Sequence, residues 1–252
     1  MAAPARKLKA SGCKVFFDFD HTITRADVLD EIITRFSVGE DWVALEEAWQ
    51  AGAIGSRECL EGQMRSIRAT RQALAAYLKG VEIDPAFAQL LDFLKQKRVP
   101  CEILSDSFSF IIKTILRHYG MSRIRVSSNH LAFEGDRLIP SFPYEDETCS
   151  RKCAHCKKIH LVKSGGKTLL YVGDGLSDIC AAEKADLVFA KGSLLDYLRK
   201  AKKPCYAFKN LNDVYRKMKE LLDDQDGEDE KNFNRRRGRR TAEVGSKVLL
   251  VG

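Results

Sequence analysis

A short hydrophobic segment, Lys14-Val-Phe-Phe, runs directly into two acidic residues, Asp18 and Asp20. A short run of aromatic and β-branched residues predicts a buried strand, as in the parallel sheets of α/β proteins. Further candidate strands end at Ser105-Asp106 and at Gly173-Asp174, with helical patterns between them. Because parallel strands share one carboxyl edge, these polar residues are predicted to meet at a single crevice in an α/β fold.

The two acids that follow the first strand favour a cation site. In an extended segment, residues two apart face the same side, so Asp18 and Asp20 can both face the crevice. Two carboxylates this close stay ionised together only when a cation offsets their repulsion. Mg²⁺ is predicted, because it binds through few carboxylates and also accepts phosphate oxygens, and Asp174 can complete the site.

The same residue types suit phosphoryl transfer. One carboxylate can attack phosphorus as a nucleophile, and the second can move a proton to the leaving oxygen and later from water. A serine hydroxyl and a lysine would hold the charged oxygens of the transferring group. The chain offers Ser105 for the first task and Lys157 or Lys158 for the second.

These motifs resemble those of the haloacid dehalogenase (HAD) superfamily over about residues 13–222. Asp18-Phe-Asp-His-Thr resembles its DxDxT signature, Ser105 stands where its second motif has serine, and Gly173-Asp174-Gly175-Leu-Ser-Asp178 resembles GDGxxD. The resemblance implies a Rossmann-like core with a mainly parallel sheet. It also implies Asp18 as the nucleophile and Asp20 as the general acid/base.

The resemblance assigns further roles around the phosphate. Mg²⁺ would be held by Asp18, the Asp20 backbone and Asp174, with Asp178 counted among the metal residues or orienting the catalytic lysine. The residues that it implies for substrate binding follow the first and second strands: Thr22, Asp27, Ser105 and Asp106.

Residues 25–84 differ from the rest in pattern. They contain no proline, and their apolar residues recur three and four apart between breaks at Gly39, Gly52 and Gly55. This is typical of a small helical bundle, and its place after the first motif resembles a C1 cap. The predicted organisation is therefore a core of residues 13–24 and 85–222, a cap of residues 25–84 and a tail of residues 223–252.

A narrower resemblance concerns the cysteines before the lysine. Cys149-x₃-Cys153-x₂-Cys156-Lys157 is similar to a segment of the 2-hydroxy-3-keto-5-methylthiopentenyl-1-phosphate phosphatases of methionine salvage, and of the phosphoethanolamine/phosphocholine phosphatases. In both groups the lysine after the last cysteine is the catalytic one, which implies Lys157 as the third-motif residue. A methionine-salvage enol phosphate is the favoured substrate, and a phospho-amine alcohol is an alternative.

Phosphoserine is a further alternative, against which two positions argue. Phosphoserine phosphatases have a glutamate where this chain has Asp27, and a cap arginine where it has Gln63. Without that arginine the bidentate clamp for a carboxylate is missing, although Arg57 or Arg65 could replace it. A non-catalytic phospho-ligand or nucleic-acid-binding protein is the remaining alternative, and the intact Asp18/Asp20 pair argues against it.

The cysteine segment leaves three possibilities open. Cys149, Cys153 and Cys156 could bind a structural Zn²⁺ with His155 or His160, remain reduced thiols, or form a redox disulfide. Zinc sites of this type need four ligands, and three cysteines supply only part of a set.

The net charge of +7 and the ends of the chain bear on partners. Residues 149–222 carry sixteen basic and seven acidic side chains, whereas residues 223–252 carry seven of each. The segregated charges of that tail predict disorder, and only its Arg235–Arg240 run offers a nucleic-acid site. Neither a signal peptide nor a membrane span is recognised, so a cytoplasmic enzyme acting on a small phosphorylated metabolite is expected, of undetermined oligomeric state.

Overall fold

The computed structural model describes residues 7–146, 148–149 and 151–222. In these residues, strands and helices alternate along the chain. The strands are β1 (Cys13–Phe17), β2 (Cys101–Phe108), β3 (Arg125–Glu134), β4 (Arg137–Ser141), β5 (Thr168–Gly173), β6 (Leu187–Ala190) and β7 (Tyr206–Ala207). The helices are α1 (Val28–Phe36), α2 (Asp41–Gln50), α3 (Ser56–Ser66), α4 (Arg71–Leu78), α5 (Ala86–Gln96), α6 (Ser109–His118), α7 (Lys157–Val162), α8 (Ile179–Lys184), α9 (Gly192–Lys200) and α10 (Leu211–Leu222).

The strands form one sheet in the order β4-β3-β2-β1-β5-β6-β7. Every neighbouring pair is parallel except β3 and β4, which form an antiparallel hairpin. Val15 of β1 pairs with Cys101 on one side and Leu170 on the other. The predicted α/β, Rossmann-like fold is therefore confirmed. Strands β2 and β5 lie on opposite sides of β1, so the strand order reverses at β1. The ligand crevice is therefore expected beyond the carboxyl end of β1.

One prediction about the sheet was wrong in detail. The sequence pattern predicts two short strands at residues 124–126 and 130–133, whereas residues 125–134 form the single strand β3. The polar run Ser127-Ser-Asn interrupts the hydrophobic pattern, yet all three side chains are buried beside β2. The sequence pattern also gave no sign of β4, where Pro140 is accommodated because the strand lies at the sheet edge.

Aromatic contacts fix the helices on the sheet. Phe17 of β1 meets Phe87 of α5 edge to face, with ring centroids 5.6 Å apart. Phe93 of α5 makes a similar contact with Tyr215 of α10, also at 5.6 Å. Such pairs add about 0.5–1.5 kcal/mol beyond the burial of their apolar area. They hold β1, and hence the acids that follow it, in a rigid frame.

Helices α1 to α4 all lie between β1 and α5, as the helical pattern predicted. Thr24 and Ile83 form an isolated antiparallel bridge, and the Arg25 N–H donates to the Glu82 carbonyl at 3.2 Å. The chain therefore enters and leaves this bundle at one place. The cap boundaries at residues 25 and 84 stay a prediction, and the tail of residues 223–252 lies outside the described residues. Among the described helices, none is both long enough and apolar enough to cross a membrane.

Candidate active site

A cleft of about 530 Å³ lies between the carboxyl edge of the sheet and the cap helices. The core contributes the residues that the sequence selected after its strands, and the cap contributes side chains of α1, α2 and α3. The predicted residues that line it are Asp18, Asp20, Asp27, Ser105, Asp106, Lys157 and Asp174. The expectation that distant segments meet at one edge is thus met by the geometry, while the role of each residue stays a prediction.

Lys157 is the centre of the charge arrangement. It is the first residue of α7 and only 3 % exposed. Its ammonium donates to Asp18 Oδ1, to Asp178 Oδ1 at 2.7 Å and to Ser177 Oγ at 3.1 Å. Burial opposes the charged form, but the carboxylates of Asp178 and Asp18 outweigh it, and the pKa of Lys157 lies well above its ordinary value. Lys157 is therefore a permanent buried cation beside Asp18.

Asp178 is held from four directions. Its Oδ1 accepts from Lys157 and from the Tyr171 hydroxyl at 2.6 Å, and its Oδ2 accepts from the N–H groups of Asp174 at 2.9 Å and Gly175 at 3.0 Å. A Cβ at Gly173 would collide with this carboxylate, so the glycine is needed for the close approach. This geometry favours Asp178 as the residue that orients Lys157, one of the two roles the motif left open.

The carboxylates fit a divalent cation. Asp18, Asp174 and Asp178 place one ligand atom each within 4.8 Å of one another. Burial, and after it the neighbouring Asp178 charge, raises the pKa of Asp18 well above its ordinary value. Several buried acids in such a space are destabilised until a cation offsets them, and oxygen donors of this kind suit Mg²⁺. Asp18 and Asp174 would hold Mg²⁺, which would offset the negative charge of the phosphate.

Asp20 also lines the cleft, in a different setting. Its Oδ1 accepts the N–H of Val28, the first residue of α1, at 3.0 Å. Burial, and after it the Asp27 carboxylate, raises the pKa of Asp20 well above its ordinary value. A carboxyl group with a raised pKa holds its proton more readily than an ordinary aspartate, which suits a general acid.

Thr22 contacts a carboxylate and does not line the cleft. It is 1 % exposed, and its hydroxyl donates to Asp174 Oδ1 at 2.9 Å. The geometry therefore favours orientation of a cation ligand over the substrate contact that was predicted.

Thr22→Val is expected to raise the Mg²⁺ concentration for half-maximal activity about tenfold, because loss of a partner that orients a metal ligand weakens binding by this order. The rate at saturating Mg²⁺ should stay within about threefold of wild type. Thr114→Val, which removes a hydroxyl bonded to a helix carbonyl, is the matched control. An unchanged Mg²⁺ dependence would contradict this role of Thr22.

The end of β2 forms the wall opposite Asp174. Ser105 is 1 % exposed, and its Oγ accepts the Ser107 N–H at 3.0 Å. Asp106 accepts a bond from Ser56 of the cap at 3.3 Å, and burial raises its pKa to about 6. The Ser56 hydroxyl also accepts the Ala154 N–H at 2.8 Å. Ser56 thus fastens the start of α3 to both the second motif and the cysteine segment.

The cap wall is acidic and partly apolar. Asp27 is the N-cap of α1 and accepts the Asp30 N–H at 3.0 Å, so its side chain has a structural partner as well as a place in the cleft. Glu46 accepts from Gln63 at 3.1 Å. Burial, then Asp27 and Glu46, raises the pKa of Asp30 to about 6. The remaining cap residues at the cleft are Leu29, Trp49, Gln50, Ser56, Cys59 and Leu60.

Neither candidate arginine clamp reaches the cleft. Arg57 pairs with Glu61 at 3.1 Å and with Glu145 at 2.9 Å, and Arg65 pairs with Glu61. Neither belongs to the residues that line the cleft. The basic side chains that do so, within the described part of the chain, are Lys157 and His21.

The structure gives no support for zinc at the cysteine segment. Cys149, Cys153 and Cys156 are free thiols. Four sulfurs around zinc lie about 2.3 Å from the metal and hence under 4 Å from one another. In the described residues, the three ligand atoms found within 4.8 Å of one another belong to the aspartates, and no such set of thiols is found.

Three polar residues of this site were missed by the sequence analysis. Tyr171 lies in a buried hydrophobic strand, and nothing in that pattern revealed that its hydroxyl meets Asp178. Ser177 occupies a variable position of the motif but bonds Lys157. Ser107 lines the cleft with a buried hydroxyl that has no hydrogen-bond partner among the described residues.

Comparison with known proteins agrees with this geometry. The profile of the family described as "Putative Phosphatase" matches residues 13–194. The 2-hydroxy-3-keto-5-methylthiopentenyl-1-phosphate phosphatase of Brevibacillus brevis is 26 % identical over 212 residues, which cover 82 % of this chain and 95 % of the relative. The protein of that name in Bacillus pumilus is 29 % identical, over 71 % of this chain and 79 % of the relative.

Solved structures show the same fold. A phosphoserine phosphatase with an analogue of the phospho-aspartyl intermediate aligns with a TM-score of 0.62 at 18 % identity, covering 84 % of this chain and 98 % of that chain. A HAD family hydrolase from Salmonella enterica serovar Typhi aligns with a TM-score of 0.67 at 16 % identity, covering 85 % and 72 %. With the family match extending over residues 13–194, the protein belongs to the "Putative Phosphatase" family.

Proposed function

We propose that this phosphatase hydrolyses the enol phosphate 2-hydroxy-3-keto-5-methylthiopentenyl-1-phosphate through an aspartyl-phosphate on Asp18. The observation that carries the reaction is the placement of the buried Lys157 ammonium against Asp18 at the carboxyl end of β1. The names of the Brevibacillus and Bacillus relatives support the choice of substrate. We also infer a cytoplasmic location, which the free state of all eight cysteines supports.

In the first half of the reaction, a carboxylate oxygen of Asp18 attacks phosphorus and the bond to the substrate oxygen breaks. Asp20, whose raised pKa favours the protonated form, gives its proton to the leaving oxygen. In the second half, water attacks the phosphorus of the aspartyl-phosphate and Asp20 takes up its proton, which releases inorganic phosphate and restores Asp18. Lys157 and Ser105 hold the phosphoryl oxygens throughout.

The organic part of the substrate would lie against the cap. A methylthio group is apolar, and Leu29, Trp49 and Leu60 supply apolar surface at the cleft. The substrate carries no ammonium group, so it leaves Asp30 and Glu46 without a charge partner. The acidic cap wall favours a second candidate, a phospho-amine alcohol. Its cation would face the carboxylates of Asp30 and Glu46 and the Trp49 ring.

A substrate panel separates the candidates. We expect the enol phosphate to have the highest kcat/KM. Phosphoserine should have a value at least tenfold lower, because no guanidinium of residues 7–146, 148–149 and 151–222 lines the cleft to bind its carboxylate. Phosphoethanolamine and phosphocholine complete the panel, with phosphate release measured in Mg²⁺ and in EDTA. A preference for either of the last two would replace the methionine-salvage assignment by the second candidate.

Glu46→Gln distinguishes the two candidates at the cap wall. If the substrate is the neutral-tailed enol phosphate, kcat/KM should change by less than about threefold, because no charge is paired there. If it is a phospho-amine alcohol, loss of an ion pair should lower kcat/KM about tenfold, mostly through KM. Glu47→Gln, an exposed neighbour on α2, is the matched control.

A further inference from the structure

Two histidines form a buried pair behind the catalytic edge. His155 is 1 % exposed and its ring stacks on Tyr144, with centroids 4.8 Å apart. Its Nδ1 lies 3.0 Å from the carbonyl oxygen of Ser105, and its Nε2 lies 2.9 Å from Nε2 of His160 on α7. The pair therefore connects Ser105 of the second motif with α7, the helix that carries Lys157.

The geometry selects one tautomer for His155. A carbonyl oxygen only accepts hydrogen bonds, so the hydrogen between His155 and Ser105 must be on Nδ1. Burial, and after it the neighbouring His160 ring and the Lys157 ammonium, lowers the pKa of His155 well below its ordinary value, so the ring is neutral. A neutral ring with Nδ1–H has a bare Nε2, which can only accept.

The tautomer of His160 follows from that of His155. Because Nε2 of His155 accepts, Nε2 of His160 must carry the hydrogen between the rings. Burial lowers the pKa of His160 against the attraction of Glu102, while Lys163 and Lys14 lower it further. His160 is therefore neutral near pH 7, with its bare Nδ1 3.8 Å from Glu102 Oε1.

Glu102 is satisfied without the histidine. Its carboxylate accepts from Lys14 at 2.8 Å and from Ser127 at 2.7 Å. Burial opposes its charge, but these two hydrogen bonds prevail and lower the pKa of Glu102. Lys14 also reaches Ser164, whose hydroxyl donates to the His160 carbonyl at 2.8 Å. Lys14 of β1 thus reaches the backbone of α7 through Ser164, which ties the helix that carries His160 to the core.

We propose that His155 is a positioning residue for phosphoryl transfer, which holds the Ser105 carbonyl through Nδ1–H, and that His160 fixes the tautomer that makes this bond. The same residue reaches Lys157, whose backbone N–H donates to the His155 carbonyl at 2.9 Å. His155 therefore contacts the serine of the site through its ring and the lysine through its backbone carbonyl. This inference rests on the proposed roles of Ser105 and Lys157.

Nitrogen-15 spectra of the histidine rings in the full chain test the tautomers directly. We expect His155 to be the Nδ1–H form and His160 the Nε2–H form at pH 7.5, with signals assigned by comparison with the His155→Asn and His160→Gln variants. Exposed His118 on α6 serves as the internal reference. Protonation of His155 at Nε2 would overturn the inference.

Kinetics with p-nitrophenyl phosphate test the consequence. His155→Leu removes the donor and should lower kcat about tenfold or more, the effect of one lost hydrogen bond to a buried group. The Mg²⁺ dependence should change less than twofold, because the ring does not contact Asp18 or Asp174. His155→Asn, whose amide can place a donor near the Nδ1 position, should keep at least about a third of the wild-type kcat.

Variants at His118 and His160 are the controls for the loss of kcat in His155→Leu. His118→Leu should behave as wild type, and His160→Gln, which retains a donor toward His155, should be much closer to wild type than His160→Leu. Equal losses in His155→Asn and His155→Leu, with melting temperatures lowered alike, would mean a packing role and overturn the proposal. If the wild type hydrolyses no phosphomonoester while the spectra show both tautomers, the proposed function fails and the assigned geometry stands.

Discussion

Asp18→Asn is expected to lower kcat for phosphate release by at least about 10⁴-fold, because losses of this size follow when an enzyme loses its attacking nucleophile. An amide oxygen can still accept a hydrogen bond from Lys157, so the shape of the site should persist while the attacking charge is lost. Stability should change little, since the variant loses attraction to Lys157 and also loses repulsion from Asp178. Single-turnover phosphate release with saturating Mg²⁺ measures the effect.

The covalent step provides the matching positive result. In Asp20→Asn the proton donor is lost but the nucleophile remains, so rapid quenching with an activated ester such as p-nitrophenyl phosphate should trap a phosphorylated chain. Asp18→Asn should trap none. Asp92→Asn, an exposed substitution on α5, should keep wild-type activity. More than about one per cent of residual turnover in Asp18→Asn would place the nucleophile elsewhere.

Most of the sheet could be predicted because its central strands are buried on both faces. Such strands consist of continuous apolar runs, as in Val15-Phe-Phe and Leu169-Leu-Tyr-Val, and these runs stand out in the sequence. Strand β3 could not be predicted as one element, because Ser127, Ser128 and Asn129 are polar. Their burial depends on partners from other strands, such as Glu102 for Ser127, which a local pattern does not contain.

The catalytic edge could be predicted for a different reason. The residues that meet there each follow a strand, and the topology of a parallel sheet brings strand ends together whatever the loops do. This argument placed Asp18, Ser105 and Asp174 in one cleft. It could not find Tyr171 or His155, because their roles depend on the direction of one side chain and on the tautomer of another.

Of the three possibilities left open for the cysteine segment, zinc has no support in the structure. Spacing alone allowed Cys149, Cys153 and Cys156 to converge, but convergence depends on backbone direction. In the structure, Cys156 is the N-cap of α7 and its backbone N–H donates to the Tyr144 carbonyl at 2.8 Å. The segment instead packs against the cap, where a Cβ at Gly55 would collide with Lys152. Its observed contacts are therefore those of a support for α3 and for Lys157.

Lys157→Met is expected to have the second large effect, on both activity and stability. Methionine keeps the length of the side chain but leaves the Asp18 and Asp178 carboxylates buried without their cation. Breaking a buried ion pair from one side costs about 3–5 kcal/mol in free energy of unfolding. We also expect kcat to fall at least about 10³-fold, because a preorganised positive charge beside the transferring group is lost.

The pH dependence of that loss identifies its cause. Unpaired buried carboxylates have raised pKa values in the folded state, as burial already gives Asp18, so the folded variant binds protons that the unfolded chain releases. Its destabilisation relative to wild type should therefore shrink as the pH falls from 8 toward the unfolded aspartate pKa of about 3.9, by at most about 1.4 kcal/mol per pH unit and group. Urea denaturation in EDTA at several pH values measures this difference. The control is Lys158→Met, at the exposed neighbouring position of the same helix, which should lower the free energy of unfolding by less than about 0.5 kcal/mol at every pH. An equal loss of stability in both variants would show that α7 needs a lysine for its own stability and not for the aspartates.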